Sequence, residues 1–503
     1  YGTASGTIVI NNGGTVRLDT NDFMGNHTST LVATVDINSG GTMASNATFT
    51  TLNNLSLSGG TLQANGGTPT WGVFSLKGTV TVDGTVTSNI STGSGSDNNV
   101  FIGTNTAGGV TTFNVAHNTS GNDLAVSSVL TNNRDAGGAA VASGLTKSGA
   151  GTMVLSASNT YTGQTTVSAG ILSIGANGSL YTGGTYAGTI VINNGGTVRL
   201  DRGDFMGVHT STPAATFTVN SGGTLANSAS YFNTLNNLTL TGGTLQSNGG
   251  NSAVWGTFAL KGTVTVNGTI TSNISTGSGS NNYIFIGTNV AGGTTTFNVA
   301  DNGSGNDLAV STVLADNRDP TNPYPTVASG LTKTGAGTMA LSGANTYTGV
   351  TTISGGTLSA ATWALGGASC NIGAATNAAG NLVFNGGTLQ FTGASSQRTD
   401  RNFTINSTGG SIDASGGTGD TIGISGSSTI ASGSPTLTLT GTNTSNNTLS
   451  GVLSGALTLT KSGGGKWVLS GNNTYSGGTN LSIGTLNINS ATAIGAAASR
   501  LTI

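Results

Sequence analysis

A short unit recurs along this chain: two glycines and a threonine, followed by residues that alternate between apolar and polar. Copies begin at Gly13, Gly59, Gly222, Gly242, Gly355 and Gly386. Alternation with a period of two residues is typical of a β-strand with one buried face. The glycine pair supplies the positive φ of a sharp corner. Strands this short, each preceded by a corner, do not suit a sandwich or a large barrel, and they predict the sides of a coil.

Such a coil has simple physics. Each turn places a few Val, Ile or Leu side chains inward, where they stack on like residues of the neighbouring turns. Main-chain hydrogen bonds then run along the axis at about 4.8 Å per turn. With about 20 residues per turn, the chain makes roughly 25 turns, and its rod is on the order of 120 Å long. The predicted fold is all-β: a single long right-handed parallel β-helix (β-solenoid).

The composition excludes the other fold classes. The chain contains 85 Gly and 6 Pro, and only 6% of its residues are charged, against about 25% in an ordinary soluble protein. Glu is absent, and the other good helix formers are scarce, which excludes an α-helical or α/β fold. Disorder is disfavoured because 35% of the residues are hydrophobic, they form β-branched clusters, and the formal net charge is only −2.

Charge and cysteine usage restrict the partners and the compartment. A net charge near zero argues against nucleic acid or an anionic membrane as the main partner. The single Cys370 cannot form an internal disulfide, and a chain nearly free of cysteine suits export through an oxidising periplasm. No apolar run approaches the ~20 residues that span a bilayer, so no membrane insertion is expected here. The chain begins at Tyr1, and we expect its signal peptide and anchor to lie outside this segment.

A second repeat operates at much longer range. The segment Gly6–Gly14 returns at Gly188–Gly196, and Trp71 has its counterpart in Trp255. The predicted organisation is a first β-helix block at 1–187, a near-duplicate at 188–373, a shorter and divergent third block at 374–490, and the start of a further block at 491–503.

One motif closes each of the three blocks. Its copies run from Leu145 to Leu172, from Leu331 to Leu358 and from Leu459 to Leu486, each around an Asn-Thr-Tyr-Thr/Ser-Gly segment that contains Tyr161, Tyr347 or Tyr475. The motif resembles the autotransporter-associated β-strand repeat (passenger-associated transport repeat) of bacterial surface proteins. The third copy departs from the other two at Lys466-Trp467 and at Asn480.

The resemblance implies a parallel β-helix passenger that is exported to the cell surface or beyond. In that family the motif is thought to help passenger folding or transport, and no catalysis is attached to it. The resemblance therefore predicts a secreted or surface-exposed, extracellular protein.

Parallel β-helices also include polysaccharide lyases and hydrolases, which need clustered Asp, Lys, Arg or His. The acidic residues are scattered, and most occur twice, once in each block: Asp22 and Asp204, Asp123 and Asp307, Asp135 and Asp319. A duplicated carboxylate is most simply a turn or cap residue that serves the same loop twice. We therefore predict no enzyme: no catalytic, cofactor-binding or metal-binding residues, and no cofactor.

A few polar candidates remain. Arg134 beside Asp135, repeated as Arg318 beside Asp319, could bind a sugar carboxylate, but we favour an ion pair that fixes the loop. His27 and His209 have no nearby Cys or second His with which to complete a metal site. The Gly416–Asp420 segment approaches a calcium-binding repeat, but it is not repeated in tandem, so no calcium site is predicted. The motif tyrosines are predicted to pack at corners rather than to stack on sugars.

The ends of the chain show no cap of the kind that natural solenoids carry. It opens at Gly6–Ile10, where the second block also opens, and it stops at Arg500–Ile503, which has the pattern of a new strand. We expect a coil that is uncapped at both ends and that associates with itself, end to end or laterally, or continues into further repeats of the same polypeptide.

Three functions follow, in order of preference. The first is a structural extracellular fibre or stalk of a bacterial cell surface, extended end to end. The second is an adhesin that binds glycans or host surfaces through loops on the rod, at Ser91–Val100 and Asn132–Ser143. The third is a polysaccharide lyase or hydrolase.

Overall fold

The computed structural model describes residues 6–24, 28, 33–68, 71–119, 121–175, 177–178, 180, 188–204, 215–228, 231–250, 255–303, 305–319, 321, 324–496 and 499–503. His27 and His209 lie outside these residues.

The described residues form short β-strands and a single 3₁₀ turn at Ala379–Asn381. The strands of the first part of the chain are β1 Thr7–Ile10, β2 Thr15–Leu18, β3 Thr34–Asn38, β4 Thr42–Ser45, β5 Thr50–Ser58, β6 Thr61–Ala64, β7 Phe74–Val82, β8 Ser88–Thr92, β9 Asn99–Ile102, β10 Gly109–Val115, β11 Leu124–Val126, β12 Val129–Asn132, β13 Ser143–Ser148, β14 Thr152–Leu155, β15 Thr165–Val167, β16 Gly170–Ile174, β17 Thr189–Ile192, β18 Gly196–Leu200, β19 Thr216–Asn220 and β20 Thr224–Asn227. The remaining strands are β21 Asn233–Thr241, β22 Thr244–Ser247, β23 Phe258–Val266, β24 Ser272–Thr276, β25 Tyr283–Ile286, β26 Thr294–Val299, β27 Leu308–Val310, β28 Val313–Arg318, β29 Thr326–Val327, β30 Gly330–Thr334, β31 Thr338–Leu341, β32 Thr351–Ile353, β33 Thr357–Ala360, β34 Leu382–Phe384, β35 Thr388–Phe391, β36 Gln397–Thr399, β37 Phe403–Ile405, β38 Gly410–Ala414, β39 Ile422–Ile424, β40 Ser428–Ile430, β41 Thr436–Thr440, β42 Asn447–Leu449, β43 Thr458–Lys461, β44 Lys466–Leu469, β45 Thr479–Leu481, β46 Thr485–Ile488 and β47 Leu501–Thr502.

The chain divides into two compact units. The first comprises Tyr1–Thr234 with Gly243–Gly249, and the second comprises Leu235–Gly242 with Gly250–Ile503. These units are defined by contacts within the fold, whereas the four blocks expected from the sequence are defined by repetition. The boundaries of those blocks stay predictions.

Within each unit, strands of successive turns pair in parallel. In the first unit β13 pairs with β15, which pairs in turn with β17. In the second unit β30 pairs with β32, and β32 with β34. Among the described strands, only β28 and β29 form an antiparallel pair. Parallel strands stacked turn upon turn are the arrangement of a β-solenoid, which confirms the predicted fold class; the number of turns stays a prediction.

The length of a turn varies with its loops. Leu145 pairs with Thr165, whereas Gly109 pairs with Ser143. A turn of about 20 residues, the usual β-solenoid spacing, therefore describes the tightest turns, and the longer turns carry loops. These loops are where side chains can be presented outside the regular coil.

The two glycines of a corner have different roles. Gly59 has a φ of +81°, which an L-residue rarely adopts. Its neighbour Gly60 has no such φ, but a Cβ there would lie only 2.4 Å from the carbonyl oxygen of Ile37. The first glycine turns the chain, and the second admits the backbone of the adjacent turn.

The core consists of columns of apolar side chains. Val126 of β11 pairs with Leu155 of β14, which pairs with Ile174 of β16, which pairs with Leu200 of β18. All four side chains are fully buried. Each contributes about 1.5–3 kcal/mol relative to an exposed side chain, so every turn is stabilised mainly by the turns on either side of it.

Candidate functional site: a buried polar cluster in the three repeats

The cluster begins with a lysine that points into the coil. In β13 the alternation of buried and half-buried residues places Lys147 on the same inward face as Leu145, and both are fully buried. An ammonium group has three donors and no acceptor. The Nζ of Lys147 donates to the carbonyl oxygens of Ser148 at 2.9 Å, Gly149 at 2.8 Å and Ala169 at 3.1 Å. It thereby links its own corner to the corner of the next turn.

The other two repeats have the same arrangement. Lys333 donates to Thr334 at 2.9 Å, Gly335 at 2.9 Å and Gly355 at 3.1 Å, and Lys461 donates to Ser462 at 2.6 Å, Gly463 at 2.7 Å and Ile483 at 3.0 Å. Every acceptor is a main-chain carbonyl, so the three lysines bind the fold itself.

Burial changes the titration of these lysines. Removal from water disfavours the ammonium form. It lowers the pKa of Lys147 to about 8, against the opposing charge of Asp123. The pKa of Lys333 is likewise lowered by burial to about 8, with Asp307 acting in the opposite direction. Burial also lowers the pKa of Lys461.

The neighbouring aspartates act as loop caps. Asp123 accepts hydrogen bonds from the amides of Asn118 and Thr152, both at 2.5 Å. Its duplicate Asp307 accepts from Asn302 at 2.7 Å and from Thr338 at 2.6 Å. The structural interpretation of this duplicated carboxylate is confirmed.

Each repeat also buries its tyrosine. The side chains of Tyr161, Tyr347 and Tyr475 are at most 1% exposed. Their hydroxyl groups lie 2.8, 2.8 and 2.5 Å from Oγ1 of Thr165, Thr351 and Thr479. Burial raises the pKa of Tyr347 and Tyr475. With no exposed face, these rings cannot stack on a sugar, and the predicted corner packing is confirmed.

An asparagine completes the cluster on the side of the preceding turn. The Oδ1 atoms of Asn159, Asn345 and Asn473 each accept a hydrogen bond of 2.8 Å from a main-chain amide of that turn, at Leu130, Leu314 and Leu453. The asparagine and the lysine of each repeat therefore link the same two successive turns. The lysine donates forward to the next corner, and the asparagine accepts from the turn before its own.

The third repeat keeps this geometry despite its departures. Trp467 is fully buried, and its Nε1 donates to the carbonyl oxygen of Thr440 at 2.9 Å. It pairs with Asn447 and Leu486 of the adjacent turns. Asn480 is exposed. The substitutions alter the filling of the coil and one surface position while the lysine, asparagine and tyrosine stay in place.

The predicted ion pair between Arg134 and Asp135 is wrong. Arg134 donates from Nη1 to the carbonyl oxygen of Gly138 at 2.8 Å, and its guanidinium lies 5.6 Å from the ring centroids of Trp71 and Phe101. The amides of Gly137 and Ala139 donate to the Asp135 carboxylate at 2.9 and 2.8 Å. A carboxylate one residue away is satisfied more easily by the amides of its own turn.

The second copy of this loop behaves in the same way. Arg318 donates to the carbonyl oxygen of Tyr324 at 3.2 Å and lies over Phe285. Asp319 accepts from the amide of Thr321 at 2.7 Å. In both copies an arginine on an aromatic ring holds the loop against the coil.

Cys370 is the one cysteine of the chain. Cys370 is buried, with its Sγ 3.3 Å from the carbonyl oxygen of Gly373. Across the described ranges, no three His, Cys, Asp or Glu side chains lie close enough together to hold a metal ion. Within the same ranges, no helix has the length and apolar character needed to cross a membrane.

Sequence reasoning missed the lysines, although a signal for them was present. Lys147 stands two residues after Leu145 in an alternating strand, which places both on one face. A lysine is almost never fully buried unless it is paired. The residue type therefore favours an exposed position, although the alternation places Lys147 on the buried face. Its partners are main-chain carbonyl oxygens, which every residue has, so the sequence does not indicate which of them bind the lysine.

Comparison with known families agrees with this geometry. The Passenger-associated-transport-repeat family matches residues 145–174, 331–360 and 459–488. No curated protein matches the chain at a significant level. Each matched segment contains one complete cluster of lysine, asparagine and tyrosine. The chain is thus a parallel β-helix protein with three passenger-associated transport repeats, which indicate an autotransporter passenger domain and a secreted or surface protein.

Proposed function

We propose that this passenger segment is a structural, non-enzymatic stalk of the bacterial cell surface. The observation that supports the proposal is the cluster of lysine, asparagine and tyrosine, which recurs in all three repeats. Its lysine and asparagine bind main-chain groups of the protein, and its tyrosine binds a buried threonine hydroxyl. Side chains that are hydrogen-bonded to the protein's own turns in this way are suited to holding a coil together. It is poorly placed to act on a substrate.

The repeats also suit a chain that folds turn by turn. Each turn of a solenoid contacts only its neighbours, so structure can start at one point and propagate. A repeat that links two successive turns twice, through its lysine and through its asparagine, stabilises such a starting point. We propose that the three repeats are these points, and that the stalk extends through self-association, end to end or laterally.

Electron microscopy of the purified chain tests the stalk. Elongated particles of uniform width are expected, and compact particles would contradict the proposal.

Sedimentation velocity over a range of protein concentrations tests self-association. A sedimentation coefficient that grows with concentration supports it, and a constant monomer overturns the self-association alone. Incubation with a panel of polysaccharides tests the non-enzymatic role, which turnover of any of them would refute.

An adhesin that binds glycans through the loops Ser91–Val100 and Asn132–Ser143 is the second candidate. In its favour, Arg134 holds the second loop over Trp71 and Phe101, so the half-buried ring of Trp71 lies beside it. Deletion of 136–142 should abolish binding to a glycan array if that loop is the binding element, and unchanged adhesion would count against it.

A further inference from the structure

A small cavity opens on the surface of the first unit. Its volume is about 260 Å³, and its lining includes Asn21, Asp22, Ala47, Phe49, Trp71 and Gly72. Pockets that bury a drug-sized ligand measure about 300–1,000 Å³, so this cavity suits one ring-sized group. None of these residues belongs to a transport repeat.

The aromatic wall of the cavity is held rigidly from behind. Phe49 packs edge-on against Trp71 with ring centroids 5.9 Å apart, and it lies at the same distance from Phe101. The guanidinium of Arg134 covers both Trp71 and Phe101 at 5.6 Å and is itself tied to the Gly138 carbonyl. An aromatic ring fixed in this way loses little conformational freedom when a ligand stacks on it.

The polar groups of the cavity include both an acceptor and a donor. The Oδ1 of Asn21 accepts a hydrogen bond from the amide of Phe49 at 2.9 Å, which leaves the Nδ2 group as a donor. The amide of Asp22 donates to the Phe49 carbonyl at 2.7 Å, whereas its carboxylate makes no hydrogen bond to any residue that the structure describes.

The backbone around the cavity is strained. Asp22 and Ala47 have φ values of 57° and 56°, in the left-handed region that residues other than glycine rarely adopt. Such a conformation costs about 1–2 kcal/mol for an alanine. Gly72 completes the wall with a φ of +42°, and a Cβ there would lie 2.6 Å from the Asn99 carbonyl oxygen. Asp204 of the second block has the same conformation, with a φ of 52°, so the strain at Asp22 belongs to the loop that both blocks share.

We propose that this cavity binds a single neutral sugar ring, such as the terminal residue of a surface glycan. The C–H face of the sugar stacks on Trp71, one hydroxyl donates to the Asp22 carboxylate, and the Asn21 amide donates to another hydroxyl oxygen. Aromatic and amide groups with one carboxylate give orientation and specificity in an otherwise apolar pocket. The Asp22 charge disfavours uronic and sialic acids, because like charges repel.

The second block keeps Asp204, Phe232 and Trp255 at the corresponding positions, but it differs beside them. Gly203 replaces Asn21, and an additional Tyr231 precedes Phe232. In the second unit, Trp255 packs against Tyr324 with centroids 5.1 Å apart. The sugar site is therefore assigned to the first block, and Trp255 provides a matched control. The sugar site does not depend on the proposed stalk function, because a stalk can form whether or not this cavity binds a sugar.

Titration calorimetry and tryptophan fluorescence on the full chain test the site. The probes are the methyl glycosides of galactose, glucose, mannose and N-acetylglucosamine, with methyl glucuronide as the acidic counterpart. At least one neutral glycoside should bind and perturb the fluorescence. Trp71→Ala and Asp22→Asn should each weaken its binding at least tenfold, whereas Trp255→Ala and Asp204→Asn should leave it within twofold.

Circular dichroism and thermal unfolding show whether each variant keeps its fold, and Trp71→Phe provides a milder change that should retain part of the binding. Absence of binding by every neutral glycoside at millimolar concentration overturns the proposal. Preference for the glucuronide overturns it too, as does binding that survives in folded Trp71→Ala and Asp22→Asn proteins.

Discussion

The hydroxyl oxygen of Tyr161 lies 2.8 Å from Oγ1 of Thr165, and both side chains are buried inside the coil. The same contact occurs between Tyr347 and Thr351 in the second repeat. The two partners lie four positions apart in the sequence, and between them the chain turns a corner from the motif segment into β15. The hydrogen bond therefore fixes the geometry of that corner.

Replacement of Tyr161 by Phe should lower the free energy of unfolding by about 1–2 kcal/mol, because it leaves the buried Thr165 hydroxyl without this partner. Urea unfolding followed by circular dichroism measures the loss. In a double-mutant cycle with Thr165→Val, the combined loss should be smaller than the sum of the two single losses. Strictly additive effects would show that the two hydroxyl groups do not interact.

Replacement of Gly149 by Ala should be far more damaging than replacement of Gly121. Both glycines have positive φ, at +74° and +93°, but a Cβ on Gly149 would lie 2.3 Å from the Val115 carbonyl oxygen, while nothing lies within 4 Å of one on Gly121. Gly121→Ala should cost about 1–2 kcal/mol, and Gly149→Ala should cost at least about 3 kcal/mol. Equal melting temperatures for the two variants would contradict the close contact between turns.

Replacement of Lys147 by Met should destabilise the protein by about 2–3 kcal/mol at pH 7, because it leaves three partly buried carbonyl oxygens without their donor. Lys466→Met is the matched control: this lysine belongs to the third repeat but is only half-buried, so its loss should cost less than about 0.5 kcal/mol. Thermal unfolding of both variants beside the wild type gives the comparison. If the Lys147→Met protein were as stable as the Lys466→Met control, Lys147 would have no structural role.

Stability should rise with pH between about 8 and 9.5. Burial lowers the pKa of Lys147 and Lys333 to about 8, from 10.5 in an exposed lysine. In this window the unfolded chain binds more protons than the folded one, so the free energy of unfolding increases, by up to ~1.4 kcal/mol per pH unit for each lysine. Lys77 and Lys261, whose pKa burial also lowers to about 8, act in the same direction.

Above about pH 10 the direction should reverse. Tyrosines then ionise in the unfolded chain, whereas burial raises the pKa of Tyr347 and Tyr475 in the folded one. Urea midpoints at closely spaced pH values record both limbs. The Lys147→Met/Lys333→Met protein should show a shallower rise; a flat or falling profile in the wild type between pH 8 and 9.5 would contradict the burial of the lysines.

The strands were accessible from the sequence because their signals are local. The alternation of Thr15–Leu18 and the glycine corner before it predict a strand, and β2 occupies those residues. Register was less accessible, because the partner of a strand depends on the length of the intervening turn. Nothing near Gly109 indicates that it pairs with Ser143, in a turn longer than the one that joins Leu145 and Thr165.

The sites were harder to predict than the strands. The proposed sugar cavity brings together Asp22, Phe49 and Trp71 from three successive turns, and each of these residues is unremarkable in its own segment. The neighbour of Arg134 in sequence is Asp135, but its neighbours in space are the rings of Trp71 and Phe101. Contacts along the axis of a coil join residues that sequence proximity does not connect.

The stacking of turns can be measured directly within the first unit. Thr112, Thr146, Thr166 and Val191 are half-buried residues that pair one above another on four successive strands. With Cys370 replaced by Ser, cysteine pairs at these positions can carry spin labels for electron paramagnetic resonance. The parallel coil predicts strong dipolar broadening for Thr146 with Thr166, whose strands lie about 4.8 Å apart. It predicts a separation of ~14 Å for the strands of Thr112 and Val191, which lie three steps apart along the axis. Labels on Thr146 and Thr166 that lie more than about 20 Å apart would contradict the parallel coil.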